Sequence, residues 1–315
     1  MKEELYLNII FMGTPDFSVS ALNALIEAGH HIQAVVTQPD KKKGRGEKIV
    51  YSPVKQAALE AGLIVYQPEK ARDKDFIEIL RGYSPDVIIV IAFGQILPKE
   101  ILEIAPYGCI NVHASLLPKY RGAAPIQWAV IDGEEKTGVT TMQMNEGIDT
   151  GDILETTEVV VDKKETGGSL FEKLSHEGAK LIVKTLEDLK EGKITPVKQD
   201  DSKSNYAKIL KKELGNIDFN KTAEEIERLI RGLNPWPSAY TKLNGKTLKI
   251  WDADVSDEEY EGKNGEIVSV DKKHFVIKTG QGSLIVNELQ LEGKKRMMAE
   301  QFLLGYKLEK GIVLG

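Results

Sequence analysis

Residues 86–92 read DVIIVIA and residues 108–113 read GCINVH, and both are apolar runs of the length of a β-strand. Similar runs stand at 5–11 (LYLNIIF), 32–37 (IQAVVT) and 138–145 (GVTTMQMN). Helical patterns that close near a glycine lie between the early runs, at 17–29, 53–62 and 73–82. Unbroken apolar strands that alternate with helices are typical of a parallel sheet covered on both faces. The first half is therefore predicted to be an open, doubly wound, mostly parallel α/β sheet, which binds ligands beyond the carboxyl ends of its strands.

The second half is predicted to be a small β-domain. Thr222 and Glu225 have the capping-box spacing at the start of a helix over 222–232. Short alternating strands with Asn-Gly turns follow at 239–243, 247–255, 265–270, 274–279 and 284–290. Five such strands favour a small OB-like β-barrel. We expect a catalytic domain over 1–192, a polar linker over 193–216 and the OB-like domain over 217–315.

Composition narrows the class of protein. The 315 residues include 42 Lys and Arg against 48 Asp and Glu, a net charge of −6, so that any contact with RNA must come from a local basic patch. Cys109 is the one cysteine, which excludes an internal disulfide or a multi-thiolate metal site. The sequence has neither a secretory signal nor an 18-residue uncharged apolar stretch. We therefore expect a cytoplasmic protein without a membrane partner.

The loop after the first strand lacks the common nucleotide signatures. Residues 12–18 read MGTPDFS, which matches neither the G-x-G-x-x-G dinucleotide fingerprint nor the phosphate loop. The prediction is a Rossmann-like sheet without NAD or ATP. The histidines outside the 108–113 strand show no metal-ligand spacing, so we expect no metal.

Three polar residues are predicted to meet where the strands end. Asn111 and His113 are two apart on a strand, so their side chains leave the same face. Asp149 follows the neighbouring strand between Gly147 and Gly151, which allow a sharp turn. Together they would supply a general acid or base, its orienting partner and an oxyanion donor. The alternatives are a structural histidine and an Asx-turn aspartate.

The run from Asn111 to Pro125, NVHASLLPKYRGAAP, together with Asp149, resembles the 10-formyltetrahydrofolate-dependent formyltransferases. The resemblance implies that Asn111, His113 and Asp149 are catalytic and that 10-formyltetrahydrofolate is the co-substrate. It implies direct attack of a primary amine on the formyl carbon, with Asp149 orienting His113 and favouring its charged form. It also implies folate contacts from two segments: Phe93, Gly94, Ile96 and Leu97, and Ser115, Leu116, Leu117 and Pro118.

The formyl acceptor must be inferred from outside this core. A Gly-punctuated loop after the second strand carries five basic residues, namely Lys41, Lys42, Lys43, Arg45 and Lys48. Family members that act on methionyl-tRNA have a comparable Gly-Arg-Gly loop, which implies that this loop binds initiator methionyl-tRNA, although the three lysines ahead of Gly44 depart from that pattern. The segment Asn234-Pro-Trp236-Pro agrees, with Trp236 as a rigid packing corner. The alternatives are an amino-sugar nucleotide acceptor and an RNA-binding module without activity. We expect a monomer.

Overall fold

A computed structural model describes residues 6–43 and 48–315 of the chain. The strands, in chain order, are β1 (Asn8–Gly13), β2 (His31–Val36), β3 (Lys41–Lys43), β4 (Lys48–Val50), β5 (Val65–Tyr66), β6 (Val87–Ile91), β7 (Cys109–His113), β8 (Arg121–Gly122), β9 (Lys136–Gln143), β10 (Ile153–Val160), β11 (Tyr206–Ala207), β12 (Ala239–Leu243), β13 (Lys246–Val255), β14 (Ile267–Val270), β15 (Phe275–Lys278), β16 (Ser283–Leu291) and β17 (Met297–Met298). The helices are α1 (Asp16–Glu27), α2 (Pro53–Glu60), α3 (Lys74–Gly82), α4 (Lys99–Leu102), α5 (Pro125–Asp132), α6 (Gly167–Lys190), α7 (Ala223–Gly232) and α8 (Ala299–Gly305).

Backbone contacts divide the chain into two compact units that interleave along the sequence. The first unit runs to Gly122 and then includes Lys136–Val160 and Phe171–Tyr206. The second unit consists of Ala123–Glu135, Val161–Leu170 and Ala207–Gly315. Within the described residues, no helix is long and apolar enough to cross a membrane.

The first unit is built on a seven-stranded sheet in the order β10-β9-β7-β6-β1-β2-β5. Strands β5, β2, β1, β6 and β7 pair in parallel, whereas β9 and β10 join as antiparallel strands. Apolar residues of α3 pack on one face of the sheet, and Gly178 of α6 approaches Val112 on the other. This arrangement confirms the predicted doubly wound, mostly parallel sheet. The strand order reverses between β1 and β6, which is where open sheets of this class bind ligands.

The second unit contains an antiparallel sheet in the order β12-β13-β16-β15-β14, with β17 paired to β16. Helix α7 buries Ile226 and Ile230 in the same core as strand residues such as Leu248 and Phe275. The predicted capping box is present at the start of α7: Thr222 N donates to a Glu225 carboxylate oxygen at 2.9 Å, and Glu225 N donates to Thr222 Oγ1 at 3.1 Å. The C-terminal half is therefore the small antiparallel β-domain that the sequence predicted.

Candidate active site

Asn111 stands near the carboxyl end of β7, beside the backbone of β6. Its Nδ2 donates to Val90 O at 2.9 Å, which fixes the orientation of the side-chain amide. Its Oδ1 is buried and has no hydrogen-bond partner among the described residues. Buried polar atoms are almost always paired in native proteins. The amide therefore offers a ligand one unused hydrogen on Nδ2 and one unused acceptor on Oδ1.

His113 and Asp149 face each other as the sequence predicted. Nδ1 of His113 lies 3.7 Å from Oδ2 of Asp149, a distance within reach of an ion pair but too long for a hydrogen bond. Nε2 of His113 lies 2.9 Å from Tyr120 O. Since a carbonyl oxygen only accepts, Nε2 carries the hydrogen in that contact. Nδ1 is therefore the nitrogen that faces the carboxylate and is left to exchange a proton.

The carboxylate of Asp149 is fixed by backbone. Gly122 N donates to Asp149 Oδ2 at 2.7 Å. The loop that carries Asp149 is tightly wound, because a Cβ on Gly151 would lie 1.7 Å from Gln143 O and a Cβ on Gly147 would lie 2.1 Å from Thr150 Oγ1. Gly151 is therefore required by its close approach to a backbone oxygen, whereas at Gly147 a Cβ would displace the side chain of Thr150.

A cavity of about 210 Å³ opens beside these residues, between the loop after β6 and the loop after β9. Its lining includes Asn111 and Asp149 and four of the predicted folate contacts, namely Phe93, Gly94, Ile96 and Leu97. It also includes residues that the sequence did not point to: Met142, Met144, Asn145, Glu146 and Ile148. Met142 pairs with Asn111 across β7 and β9, so strand alternation was the signal that could have placed it.

The second predicted folate segment does not line this cavity. Its four residues are Ser115, Leu116, Leu117 and Pro118. Ser115 is fully buried, and its hydroxyl donates to Lys119 O at 2.6 Å. Leu117 N donates to Thr140 Oγ1 at 3.1 Å. These two polar groups are already satisfied, one within the turn and one by Thr140 of β9, and a folate contact from this segment stays a prediction.

Metal ligands and a reactive thiol are both lacking in the described part of the chain. Among residues 6–43 and 48–315, no group of three or more His, Cys, Asp or Glu side chains could hold a metal ion. Cys109 is fully buried at the start of β7, and burial raises the pKa of its thiol to about 12. That thiol is therefore protonated at neutral pH and is no nucleophile.

Comparison with known proteins identifies the family. The family model described as "Formyl transferase" matches residues 7–186, and the one described as "Formyl transferase, C-terminal domain" matches residues 209–307. The chain belongs to the formyl transferase family. A protein named methionyl-tRNA formyltransferase from Lachnospira eligens is 62% identical over 314 residues, covering 98% of this chain and 100% of that protein. One of the same name from Agathobacter rectalis is 56% identical and covers 97% and 98%.

A solved structure supports the same fold. The sugar 3N-formyl transferase WlaRD, in the presence of dTDP and 5-N-formyl-THF, matches with a TM-score of 0.66 at 20% identity, over 92% of this chain and 99% of that one. At this identity the likeness concerns the architecture of the formyl transferase alone.

In the present chain, two short antiparallel strands, β3 and β4, flank the basic loop. Lys41–Lys43 pair with Lys48–Val50, and residues 44–47, which include the predicted RNA contact Arg45, lie outside the described residues. At its base, Lys55 Nζ donates to Asp40 Oδ2 at 2.5 Å and to Gln67 Oε1 at 2.7 Å. The hydrogen bond from Lys55 holds the pKa of Asp40 below its usual value.

The environments of two side chains in the C-terminal half, Trp236 and Arg296, bear on a role in binding. Trp236, expected to pack as a rigid corner, is 55% exposed. Arg296 is paired with both carboxylate oxygens of Glu288 and lies 4.6 Å from the Trp251 ring centroid. Its guanidinium therefore already has partners within the β-domain.

Proposed function

We propose that the chain transfers the formyl group of 10-formyltetrahydrofolate to the α-amino group of methionine on initiator methionyl-tRNA. The observation that carries the chemistry is the placement of Asn111 and Asp149 on one cavity, with His113 facing Asp149. The full-length relatives named methionyl-tRNA formyltransferase support this acceptor over the amino-sugar nucleotide and over an inactive RNA-binding module.

The cavity has a feature that fits the folate. The buried Oδ1 of Asn111 receives no hydrogen bond from the described part of the chain, and a ligand that brings an N–H group would satisfy it. Pteridines and amines both carry such groups, whereas an apolar ligand would leave the oxygen unpaired. The apolar side chains of Phe93 and Leu97 on the same cavity suit a flat aromatic ring.

The reaction forms a bond from the amine nitrogen to the formyl carbon and breaks the bond from that carbon to the folate nitrogen. Asn111 stabilises the oxyanion of the tetrahedral intermediate by donating its unused Nδ2 hydrogen. The His113–Asp149 pair holds the proton that leaves the amine and returns it to the departing folate nitrogen. No covalent bond to the enzyme is needed.

Replacement of either member of the pair tests the site. We expect His113→Ala and Asp149→Ala each to lower kcat by about 10² or more, because each removes the proton-transfer path. His176→Ala is the control, since His176 is exposed on α6 and should leave kcat unchanged. Formyl transfer is measured with radiolabelled 10-formyltetrahydrofolate. Near-normal kcat in either site variant would refute the assignment.

The same assay decides the acceptor. Methionyl-tRNA, glycinamide ribonucleotide and an amino-sugar nucleotide are offered separately, and label is expected on methionyl-tRNA alone. Label on a small acceptor would leave the catalytic residues in place and refute the role of the basic loop. Folate binding without transfer to any acceptor would favour the inactive RNA-binding module.

We further propose that the chain acts as a monomer in the cytoplasm. Residues 1–192 would form the catalytic domain, 193–216 a linker and 217–315 an OB-like tRNA-binding domain. Light scattering coupled to gel filtration tests the first point against the chain mass of 35.0 kDa. Limited proteolysis tests the boundaries.

A further inference from the structure

A buried arginine and glutamine lie behind the loop that carries Asp149. Arg121 and Gln199 are 8% and 6% exposed. Nε and Nη2 of Arg121 donate to Gln199 Oε1 at 3.0 and 2.8 Å. Nη2 also donates at 2.8 Å to Asp201, whose side chain is 80% exposed. A buried guanidinium needs acceptors, and Gln199 supplies a buried one.

The other end of the Gln199 amide holds the Asp149 loop. Nε2 donates to Asp149 O at 3.0 Å and to Gly151 O at 2.6 Å, so both amide hydrogens are in use. Asp149 has a φ of +52°, in the left-handed region that residues with a Cβ disfavour. Such a conformation persists only where neighbouring groups hold it. The two hydrogen bonds from Gln199 are contacts of that kind.

These bonds close a ring through the catalytic pair. Gly122, which follows Arg121 in the chain, donates its N–H to Asp149 Oδ2, the same oxygen that faces His113. Tyr120, which precedes Arg121, supplies the carbonyl that accepts from His113 Nε2. The segment 120–122 thus fixes one side of each partner, and Gln199 fixes the backbone of Asp149 to that segment through Arg121.

We propose that Gln199 is a positioning residue of the formyl-transfer reaction, which locks the Asp149 loop to Arg121 so that the carboxylate stays opposite His113. The inference rests on the proposed function. Gln199 does not line the cavity, so it acts through Asp149 and not on the substrate. An amide fits this position because one end must accept from Arg121 while the other donates twice.

Two substitutions separate positioning from support of Arg121. Gln199→Glu keeps an acceptor for Arg121 but loses both donors to the loop, and Gln199→Leu loses both functions. We expect kcat to fall in both variants, by up to the order of 10² that an ångström-scale misplacement costs. The fall in kcat should exceed the change in the KM for 10-formyltetrahydrofolate, because Gln199 itself does not contact the cavity. Wild-type kcat in Gln199→Glu would overturn the proposal.

A double-mutant cycle with Asp149 distinguishes loss of positioning from a general loss of stability. In an Asp149→Ala background, Gln199→Leu is expected to cause no further loss of kcat, since the group that it positions is gone. A further, multiplicative loss would overturn the proposal. Gln33→Leu is the matched control: Gln33 Nε2 donates to the backbone oxygen of Tyr83 at 2.9 Å, so the variant loses a similar bond on β2 and should keep its kcat.

The two hypotheses fail differently. Wild-type transfer by Asp149→Ala would refute the proposed function, and the inference with it. Loss of transfer in Asp149→Ala, together with full kcat in Gln199→Glu, would refute only the positioning role.

Discussion

Asn111 shows how a single side chain prepares the cavity for a ligand. Its Nδ2 is committed to Val90 O, and an exchange of the two amide atoms would set two oxygens against each other. The unpaired Oδ1 is thereby held in place, although leaving a buried acceptor unsatisfied costs about 1–3 kcal/mol. A ligand donor that reaches this oxygen recovers that free energy, which favours binding at this point of the cavity.

The close approach of Gly151 to Gln143 O can be tested by adding a single Cβ atom at Gly151. Gly151→Ala would place a Cβ 1.7 Å from a backbone oxygen, so the loop must move, at a cost of about 1–3 kcal/mol in the free energy of unfolding. We expect kcat to fall as well, since the same loop carries Asp149.

Urea unfolding and the formyl-transfer assay measure the two effects. The control is Gly82→Ala at the end of α3, where a Cβ meets no atom within 4 Å. This variant should gain about 0.5–1 kcal/mol in stability and keep its kcat. Full activity in Gly151→Ala would contradict the role of the tight turn.

Individual site residues differed in how far the sequence could predict them. Asn111 and His113 were predictable because a polar residue that ends an apolar strand stands out from its surroundings. Gln199 was not, because it lies in a polar stretch without periodicity and makes its contacts about fifty residues away in the chain. A buried residue in such a stretch cannot be recognised from the residues next to it in the sequence.

Strands were predicted in proportion to their burial. The runs at 86–92 and 108–113 correspond to β6 and β7 within one or two residues, because both strands are enclosed by neighbours. Strand β10 was missed: it lies at the edge of the sheet, where it pairs with β9 and makes one isolated bridge from Ile153 to Val197, and beyond Leu154 its side chains alternate between half-buried and exposed. An edge strand of this kind has too few apolar residues to show as a run.

The contact between β5 and the end of α3 predicts a raised pKa for the phenol of Tyr83. The hydroxyls of Tyr66 and Tyr83 lie 2.9 Å apart, and this hydrogen bond, with burial and the electrostatic influence of Tyr66, raises the pKa of Tyr83 to about 12. An unfolded tyrosine titrates near pH 10. A raised pKa in the folded state means that this hydrogen bond stabilises the fold fully below about pH 10, and that the stabilisation disappears as pH rises toward 12.

Tyr66→Phe removes the main cause and should lower the pKa of Tyr83 toward 10. The measurement is a ¹³C NMR titration of the Tyr83 ring carbon that bears the hydroxyl. Tyr206→Phe, at an exposed tyrosine, is the control and should leave the titration of Tyr83 unchanged. An unshifted midpoint in Tyr66→Phe would contradict the contact.

Contacts between residues far apart in the sequence are the part of the fold that local sequence patterns do not predict. In the second unit, Trp128 Nε1 donates to Lys208 O at 2.8 Å and Arg228 Nε donates to Ile131 O at 3.2 Å. These bonds link residues 80 and 97 positions apart. Helical periodicity and turn residues describe neighbours of a few positions, so the sequence favoured consecutive segments, whereas backbone contacts group Ala123–Glu135 with the C-terminal residues.

The charge of the whole molecule makes RNA binding depend on a local cluster. The chain carries a net charge of −6, so attraction to a phosphate backbone must come from patches such as the hairpin loop with Lys41, Lys42, Lys43, Arg45 and Lys48. Each phosphate that a basic side chain neutralises releases counterions and adds up to about 0.9 to the slope of log affinity against log salt concentration. We therefore expect the KM for methionyl-tRNA to rise steeply with salt.

Substitution in the loop should flatten that dependence. Changing Lys41, Lys42 and Lys43 together to Gln is expected to reduce the slope by about 1 for each phosphate that the loop no longer neutralises. Arg45→Ala should raise the KM for tRNA far more than the KM for folate. Lys180, Lys184 and Lys193 changed to Gln are the charge-matched control, because each is already paired with a carboxylate of this chain. A lysine whose charge is already neutralised by a carboxylate attracts a phosphate only weakly, so the control should keep the wild-type slope. Equal slopes in the two triple variants, or equal effects of Arg45→Ala on both substrates, would show that the loop does not bind the RNA.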